Sequence, residues 1–312
     1  MIYIITINYN NSGDTIDCLE RLKTVLTPCR VIVVDNASSL DDYEVLSQYI
    51  EQIGGILLHT NEGESRLNDG NYFLIRSAIN LGFSGGNNVG IRIAMSQPNF
   101  DGVVLLNNDT LVDPTFLDEL LRCRSENEDA HLIGGRIFYE DAPNKLWYDG
   151  GVFNKYTCKA IHINDNKLIS EVVGSNEPHK TGFITGCLMY ISPYCLENIG
   201  LLDDSFFMYS EDLDYCIRAQ RFGLNLYFVP RSIIWHKVSS STGGILSAFS
   251  AYWISRNKFR IARLYLNRFE QATTCLYFWG TRVPRYIKWF LQGRKDVIKA
   301  QVKGAFDGMK GK

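Results

Sequence analysis

The sequence predicts an α/β fold with a mainly parallel central sheet that is flanked by helices. Three observations favour this fold. Short apolar runs rich in β-branched residues recur through the first 110 residues, without the polar alternation of a half-exposed strand. Segments with helical spacing separate these runs, as in βαβ units. Polar residues follow directly after three of the runs, and ligands of such sheets bind beyond the carboxyl ends of the strands.

Four strands and three helices alternate in this first part of the chain. The strands are predicted at Ile2–Ile7, Val31–Val34, Ile56–His59 and Val103–Leu106. The helices are predicted at Thr15–Val25, at Tyr43–Ile53 and, after a Gly-rich turn, at Gly86–Met95. The polar residues at the strand ends are Asn8, Asp35-Asn36 and Asn107-Asn108-Asp109. Each of these three positions is therefore a candidate ligand site.

The pattern changes near residue 130. Short β-like runs surround one clear helix, Glu211–Phe222, which indicates a mixed-sheet half that closes over the first. From Ile245 onward the pattern is helical and basic. With 312 residues, 46% of them hydrophobic, the chain is long enough to bury a sizeable core.

Charge is distributed unevenly along the chain. The net charge is -2, yet residues 256–312 contain fourteen Lys or Arg and only three acids. In the run RVPRYIKWFLQGRKDVIKAQVKGAF, apolar side chains recur at helical spacing between basic ones. This pattern is typical of a helix in a membrane interface, with its bases toward anionic lipid. A helical pair packed on the rest of the chain, a homodimer contact and a nucleic-acid binder remain open alternatives.

Cysteine usage and the first residues of the chain bear on location. The eight cysteines show no C-x-x-C pair and no metal-ligand spacing, which favours free thiols in a reducing cytosol. The chain starts directly as a strand, MIYIITINY, and has no apolar run of about 18 residues. We therefore expect no signal peptide, no membrane-spanning helix and a cytoplasmic location.

Three groups of side chains can carry chemistry, and each also has an ordinary structural explanation. Asp109 can hold a divalent cation at a strand exit, or it can belong to a turn before a helix. His236 closes the run SIIWH and can be a metal ligand or a structural residue. Glu211, Asp212 and Asp214 open a helix after the aromatic turn FFMYS. Acids there cap a helix, but three exceed what capping needs, and one of them can serve as a general base.

The run NLGFSGGNN at 80–88 leads into a helix. Backbone amides at such a place can cradle a phosphate. The run is not G-x-G-x-x-G, and no such motif follows the first strand. A nucleotide-dependent oxidoreductase on a doubly wound sheet is therefore not favoured.

Taken together and in this order, the motifs resemble family 2 of the glycosyltransferases, which has the GT-A (nucleotide-diphospho-sugar transferase) fold, and especially its rhamnosyltransferase-like bacterial branch. The resemblance covers about residues 2–260. The matching segments are TINYN at 6–10, VVDNAS at 33–38, NLGFSGGNN at 80–88, LLNNDT at 105–110, TGFITGCLMYI at 181–191, GLLDDSFFMYSEDLDYCIRAQRFG at 200–223 and FVPRSIIWHKVSSSTG at 228–243.

The resemblance implies a role for each matching position. A divalent metal, Mn2+ or Mg2+, would be held by Asp109 and His236, and Asp212 beside Glu211 would be the catalytic base. The nucleotide-base pocket would contain Thr6, Asn8 and Asp35. The remaining donor contacts would come from Asn36, Gly85, Gly86, Asn87, Asn107 and Asn108. Trp147 and Gly186 would lie near the donor or acceptor sugar.

Two features depart from the family pattern. Asn107 stands where the family's metal-binding D-x-D motif has its first acid, so Asp109 would hold the metal with His236 and the donor phosphates. The stretch Asn61–Arg76 is longer than the family usually carries, and we interpret it as an extra hairpin on the rim.

The resemblance implies an inverting hexosyltransferase that moves a sugar from dTDP-rhamnose or a UDP-hexose to an acceptor hydroxyl. The acceptor would be a saccharide, linked to polyprenyl diphosphate, in the synthesis of bacterial O-antigen or capsule. Residues 1–110 would bind the nucleotide, residues 111–250 would complete the GT-A catalytic domain, and residues 251–312 would attach it to the inner face of the plasma membrane. The alternative is a non-catalytic nucleotide-sugar-binding relative, which would lack Asp212 or His236. Both are present.

Overall fold

One large sheet organises the part of the chain that the computed structural model describes, which comprises residues 1–58, 67, 70–238 and 247–311. His59, most of the stretch 61–71 and residues 239–246 lie outside these ranges. The strands are β1 Ile2–Asn8, β2 Cys29–Asp35, β3 Ile56–Leu58, β4 Tyr72–Arg76, β5 Gly102–Leu106, β6 Thr110–Val112, β7 Ala130–Tyr139, β8 Leu146–Tyr148, β9 Gly151–Asn154, β10 Lys159–His162, β11 His179–Thr181, β12 Leu188–Ile191 and β13 Asn225–His236. The helices are α1 Ser12–Leu22, α2 Leu40–Gln52, α3 Gly82–Met95, α4 Phe116–Glu126, α5 Pro193–Ile199, α6 Glu211–Phe222, α7 Ala248–Tyr265, α8 Arg268–Leu291 and α9 Lys295–Lys310.

The sheet is mainly parallel, as the sequence predicts. Its order is β11-β13-β7-β12-β5-β1-β2-β4-β3, with β6 on β13 and β8 on β7, while β9 and β10 pair separately. The strands from β5 to β3 in this order all run parallel. β12 runs antiparallel to its neighbours β5 and β7, and β13 runs parallel to β7. As a result β7 and β13 point the same way as β1.

Both faces of the sheet are covered, which explains why its strands lack polar alternation. Ile4 and Ile5 are both fully buried, although successive side chains of a strand point to opposite faces. Helix α3 lies very close to one face, since a Cβ at Gly90 would come within 2.6 Å of Ile5 Cγ2. The glycine is therefore required by close packing of helix on sheet.

The parallel arrangement brings the carboxyl ends of four strands to one edge. Asn8 at the end of β1 pairs with Asp35 at the end of β2. The last residue of β13, His236, pairs with Thr110 of β6, directly after Asp109. Polar residues that are far apart in the chain thus meet at the edge where ligands bind in such sheets.

The structure corrects the interpretation of the stretch 61–76 as an extra hairpin on the rim. Its last residues, Tyr72–Arg76, form β4, which lies inside the sheet between β2 and β3 and runs parallel to both. Phe73 and Leu74 of this strand are fully buried. The run YFLIR is short and apolar like the other buried strands, so it belongs to the core.

The Gly-rich run is also different from the prediction, because most of it is helical. Helix α3 begins at Gly82, four residues before the predicted start at Gly86. Glycine usually favours turns, but here its lack of a side chain allows α3 to pack closely against its neighbours. Gly82 has a positive φ of 69°, and a Cβ there would overlap the carbonyl oxygen of Phe207. Tertiary contacts therefore override the local turn preference.

The C-terminal segment forms three helices. The amphipathic run from Arg282 to Phe306 is divided between α8 and α9, and Gly293, with a positive φ of 74°, lies at the break. Helix α7 contributes Ile261 and Ala262 to the same hydrophobic cluster as the sheet. The division at residue 250 stays a prediction. None of the helices in the described ranges is long and apolar enough to cross a membrane.

Glycines allow α9 to pack directly on α7. A Cβ at Gly304 would overlap the carbonyl oxygen of Tyr252, and a Cβ at Gly308 would overlap that of Arg256. We predict that Gly308→Ala lowers the free energy of unfolding by about 1–3 kcal/mol, because the extra methyl forces the helices apart. Chemical denaturation measures this change.

Gly280 in α8 supplies a matched control, since a Cβ there would meet nothing within 4 Å. Gly280→Ala should leave stability unchanged or raise it by up to about 1 kcal/mol through helix propensity. Equal effects of the two substitutions would contradict the close packing of α7 and α9.

Candidate active site

A buried polar network lies at the carboxyl ends of β1 and β2. Asn8 and Asp35 are both fully buried. The Asn8 amide donates to Asp35 Oδ1 at 3.0 Å and to Asp42 Oδ2 at 2.7 Å, and Asn8 Oδ1 accepts from the Thr15 hydroxyl at 2.9 Å. The Thr6 hydroxyl, two residues earlier on β1, is buried without a hydrogen-bond partner among the described residues. Because such a group is costly to leave unpaired, Thr6 is suited to contact a ligand.

Arg76 belongs to this network, although the sequence patterns did not reveal it. It ends β4 beside Asp35 in the strand register. Its Nε lies 3.5 Å from Asp35 Oδ2, and its Nη2 donates to the Ser38 carbonyl oxygen at 2.8 Å. The guanidinium also lies over the ring of Tyr43, 4.3 Å from the centroid. The signal that could have found Arg76 is its position directly after the short apolar run YFLI.

Asn36 joins the end of β2 to the start of α3. Its amide donates to Asn80 Oδ1 and to the Gly82 carbonyl oxygen, both at 3.0 Å, and its Oδ1 accepts from the Leu81 amide at 2.9 Å. These bonds hold the N-terminus of α3 at the sheet edge. Gly82 N already donates to Asn80 Oδ1 at 2.8 Å and Phe83 N to the Phe207 carbonyl oxygen at 2.6 Å, so the helix dipole and the amides that follow are what favour an anion such as phosphate there.

Gly85, Gly86 and Asn87 are buried in the first turns of α3. A Cβ at Gly86 would come within 3.0 Å of Ile7 Cδ1, so glycine allows the helix to approach β1. The Asn87 amide donates to the Phe83 carbonyl oxygen at 3.0 Å. The three residues thus lie at the predicted edge, and their contacts with a nucleotide stay a prediction.

Asp109 and His236 come together from different strands. Both are buried, and Asp109 Oδ1 lies 3.1 Å from His236 Nε2. Among the described residues, Asp109 Oδ1 accepts no hydrogen bond and His236 Nδ1 has no partner. Burial disfavours a protonated His236, but the neighbouring Cys187 sulfur and the Asp109 carboxylate outweigh it and raise the pKa of His236 to about 10.

This pair fits a divalent metal. Two ligand atoms at about 2.1 Å from one ion, at a right angle to each other, are about 3.0 Å apart. Oxygen and imidazole ligands suit Mn2+, and oxygen ligands suit Mg2+. In the described ranges, no three His, Cys, Asp or Glu side chains are grouped to hold a metal. Asp109 and His236 would therefore supply two ligands, and the others would be oxygens of a ligand or water.

The two asparagines before Asp109 have different surroundings. The Asn108 amide donates to the Thr15 hydroxyl at 2.8 Å, which connects it to the network around Asn8. The backbone amide of Asn107 donates to the Cys187 carbonyl oxygen at 3.1 Å. The segment that carries Asp109 is thus fixed to both neighbouring parts of the edge.

Asp212 is held at the N-terminus of α6 by backbone amides. Gly186 N donates to Asp212 Oδ2 at 3.1 Å, and Leu213 N donates to Asp212 Oδ1 at 2.7 Å. Burial raises the pKa of Asp212, although these amides work in the opposite direction. Part of its surface stays exposed. A fixed carboxylate with a raised pKa can accept a proton from a bound hydroxyl.

The two neighbouring acids are less suited to this role. Asp214 accepts from Arg218 Nε at 2.8 Å and from the Tyr265 hydroxyl, so its charge is already balanced. Glu211 is buried, and its Oε2 has no hydrogen-bond partner among the described residues. Burial and the adjacent Asp212 raise the pKa of Glu211 well above its usual range. Glu211 is therefore less accessible to a bound hydroxyl than Asp212.

The consecutive residues Gly186 and Cys187 connect Asp212 to the pair of Asp109 and His236. Gly186 donates to Asp212, and the next residue, Cys187, accepts from Asn107 and lies against His236. A Cβ at Gly186 would contact Asp212 Cβ at 3.5 Å, which shows how closely the backbone passes. The predicted base and the predicted metal ligands therefore form one continuous site.

The turn that precedes Asp212 has an unusual backbone. Phe207, Tyr209 and Ser210 have positive φ values of 60°, 69° and 70°. Asn257 of α7 is fully buried, and its amide nitrogen lies within 2.9 Å of the carbonyl oxygens of Phe206, Met208 and Tyr209. Such conformations persist only where surrounding contacts hold them. Asn257 was not predicted, because it lies in a basic helical segment that looked peripheral.

Aromatic rings surround the same region. Phe207 stacks on Trp253 with 4.9 Å between centroids, and Phe249 packs edge-on against both rings. Trp147 packs edge-on against His236, at 4.6 Å between centroids. Gly186 touches Asp212 through its amide. Trp147 thus lies beside His236 and Gly186 beside Asp212, and their contacts with sugars stay a prediction.

Comparison with known proteins identifies the family. The model of glycosyl transferase family 2 matches residues 3–192, and that of glycosyl transferase family group 2 matches residues 102–293. The low-salt glycan biosynthesis hexosyltransferase Agl10 of Haloferax volcanii is 25% identical over 296 residues, which cover 92% of either chain. The dTDP-rhamnosyl transferase RfbF of Shigella flexneri is 21% identical over 84% of this chain and 80% of RfbF.

Two solved structures share the fold. GalNAc-T7, solved with UDP, GalNAc and Mn2+, superposes with a TM-score of 0.58 at 13% identity, over 93% of this chain and 57% of that chain. The mannosyltransferase PcManGT of Pyrobaculum calidifontis, in complex with GDP-Man and Mn2+, superposes with a TM-score of 0.58 at 12% identity, over 100% of this chain and 87% of that chain. These neighbours are GT-A glycosyltransferases. Since the family model also matches more than half of the sequence, the chain belongs to glycosyl transferase family 2 and has the GT-A fold.

Proposed function

We propose that this glycosyltransferase moves a hexose from a nucleotide-diphosphate sugar to an acceptor hydroxyl with inversion at the anomeric carbon, and that Asp212 is the general base. The observation that carries the proposal is the contact of Asp212 with Gly186, one residue before Cys187 beside His236. This arrangement sets a carboxylate next to the pair that fits a metal. Asp212 can therefore accept a proton from the acceptor while the metal-binding pair stabilises the leaving diphosphate of the same donor sugar.

The reaction is a single displacement. The acceptor oxygen attacks the anomeric carbon while its proton passes to an Asp212 oxygen. The bond between the anomeric carbon and the phosphate oxygen breaks on the opposite face, and the nucleoside diphosphate leaves with the electron pair. The Gly186 and Leu213 amides hold the carboxylate in place during the transfer. No enzyme residue becomes covalently attached.

The donor diphosphate is proposed to lie against the N-terminus of α3 and the pair Asp109 and His236. A divalent ion held by that pair would neutralise the charge that develops on the leaving diphosphate. The N-terminus of α3 adds the favourable end of a helix dipole. The Mn2+ in the two structural neighbours supports a metal for this chain.

The nucleotide is proposed to be dTDP or UDP. Asp35 is a buried hydrogen-bond acceptor beside Asn8. The N–H group of a pyrimidine imide is a hydrogen-bond donor that can pair with such a carboxylate. The Thr6 hydroxyl, which has no partner in the described part of the chain, offers one further contact. The name of RfbF, a dTDP-rhamnosyl transferase, supports dTDP-rhamnose as donor. The name of Agl10, a hexosyltransferase of glycan biosynthesis, supports a hexose, which we propose is carried by UDP. The name of Agl10 also supports a growing glycan as acceptor, and we propose that this glycan is linked to a lipid.

We predict that Asp212→Asn folds normally but lowers kcat about 10²–10⁴-fold, because the amide cannot accept the proton. Donor binding, measured as a shift of the unfolding midpoint with nucleotide sugar, should persist. Asp41→Asn, at an exposed acid in the first turn of α2, is the control and should keep full activity. A near wild-type kcat for Asp212→Asn would exclude this residue as the base.

The pH dependence follows from the same group. Burial raises the pKa of Asp212, and a base works only when deprotonated. Activity should therefore rise with pH through a midpoint above about 4, the ordinary value for aspartate. A plateau that extends below that value would contradict the assignment.

We predict that Asp109→Ala and His236→Ala each abolish the metal-dependent part of donor binding. The double variant should cost less than the sum of the singles, because both side chains hold one ion. Thermal-shift titration with UDP or dTDP, with and without Mn2+, measures the effect. His179→Ala, at an exposed histidine, is the control. Full activity in EDTA would contradict the proposed metal.

We predict that Asn257→Ala lowers kcat while the donor KM stays unchanged. The substitution removes the donor that holds three carbonyl oxygens of the turn before Asp212. Unfolding free energy should also fall by about 1–3 kcal/mol. Within the described ranges, the exposed Asn198 amide donates to the Tyr194 carbonyl oxygen alone, so Asn198→Ala is the control for losing a surface amide. A loss of stability with unchanged kcat would show that Asn257 does not position the base.

A further inference from the structure

Helix α8 exposes a continuous apolar stripe. Six large hydrophobic residues lie along one face of this helix, and each is at least 59% exposed. They are Phe269, Leu276, Val283, Ile287, Phe290 and Leu291. Ala272 and Gly280 fill the intervals on the same face, so no charge interrupts it. A helix of 24 residues is about 36 Å long, so the stripe is much larger than scattered surface hydrophobics explain.

The opposite face of α8 is packed against the molecule. Phe278 lies in a small cluster with Phe259 of α7 and Ala305 of α9. Trp289 lies in a second cluster with Ala251 of α7 and Val297 of α9. The helix is thus fixed in orientation, and its exposed stripe is a stable feature of the surface.

A row of lysines on α9 borders this stripe. Lys295, Lys299, Lys303 and Lys310 are exposed and recur at helical spacing, and Phe306 lies among them. Two contacts join the row to α8. The Lys295 ammonium lies 4.9 Å from the centroid of the Phe290 ring, and the rings of Phe306 and Trp279 are 6.1 Å apart. The apolar stripe and the lysine row therefore form one surface, here called the α8–α9 face.

The charge of this face differs from that of the rest of the chain. Residues 268–311 contain nine Lys or Arg and three acids, whereas the whole chain has a net charge of -2. Apolar side chains beside a row of lysines are the composition of helices that lie in a membrane interface. A second copy on the same stripe would bring another row of lysines next to the first, whereas anionic headgroups neutralise the row.

We propose that the α8–α9 face docks on an anionic lipid surface, with the α8 stripe among the acyl chains and the α9 lysines at the headgroups. The helices lie in the plane of the membrane, since none in the described ranges can cross it. The proposal goes beyond the transfer reaction and does not depend on it. It also gives α7 a place between membrane and site, because α7 packs on α9 and its Asn257 holds the turn before Asp212.

The test is co-sedimentation of the full chain with vesicles of phosphatidylcholine alone or mixed with phosphatidylglycerol. Wild type should sediment with the mixed vesicles and hardly with the neutral ones, and high salt should weaken binding. The double substitution Leu276→Glu with Ile287→Glu should abolish sedimentation. The double substitution Lys299→Gln with Lys310→Gln should weaken it about tenfold or more, since each basic residue near such a surface strengthens binding about fivefold.

Matched controls lie on other surfaces. Val45→Glu replaces a half-exposed residue of α2, and Lys167→Gln removes an exposed lysine, so both should bind as wild type does. Wild type that stays in the supernatant, or binds both vesicles equally, would overturn the proposal. So would a concentration-dependent dimer in analytical ultracentrifugation that Ile287→Glu dissociates, because a second copy would then occupy the stripe. The assay uses no donor or turnover, so its outcome is independent of the proposed reaction.

Discussion

The candidate site depends on the common direction of β1, β2, β5 and β13. Because these strands are parallel, their carboxyl ends meet at one edge, and each supplies a polar residue there. β12 runs antiparallel to β5, and it starts at that edge just after Gly186 and Cys187. The segment directly before β12 thus lies between the proposed base and the proposed metal ligands. A reversal of any of these strands would separate the two halves of the chemistry.

The candidate site also requires the turn at 207–210, which positions Asp212 at the start of α6. It costs backbone strain, and the contacts that hold it come from distant parts of the chain. Gly82 and Phe83 of α3 contact Phe207, and Asn257 of α7 donates to the carbonyl oxygens around it. Lys258 donates to the Thr157 carbonyl oxygen, and burial lowers its pKa to about 8. Bases of α7 that looked like part of a charged tail are thus partly structural.

Much of this could be predicted from the sequence. Buried strands without polar alternation indicated the parallel sheet, and polar residues at strand ends located Asn8, Asp35 and Asp109. The helix Glu211–Phe222 was predicted with its observed bounds. These features depend on local pattern and on one general rule of sheet topology. The resemblance to family 2, which the family models confirm, supplied the roles.

The remaining features depend on contacts between distant segments. The role of Arg76 depends on the register of β4 with β2, which places it beside Asp35. The role of Asn257 depends on its hydrogen bonds to three carbonyl oxygens of a distant turn. The glycine at 82 suggested a turn, but close packing against Phe207 explains it. The central claim is that Asp109, His236 and Asp212 act on one donor. Its most direct test is anomalous diffraction from crystals grown with Mn2+ and UDP or dTDP sugar. Manganese bound to Asp109 and His236, with the anomeric carbon facing Asp212, is the expected result, and manganese bound elsewhere or a sugar turned away from Asp212 would contradict the account.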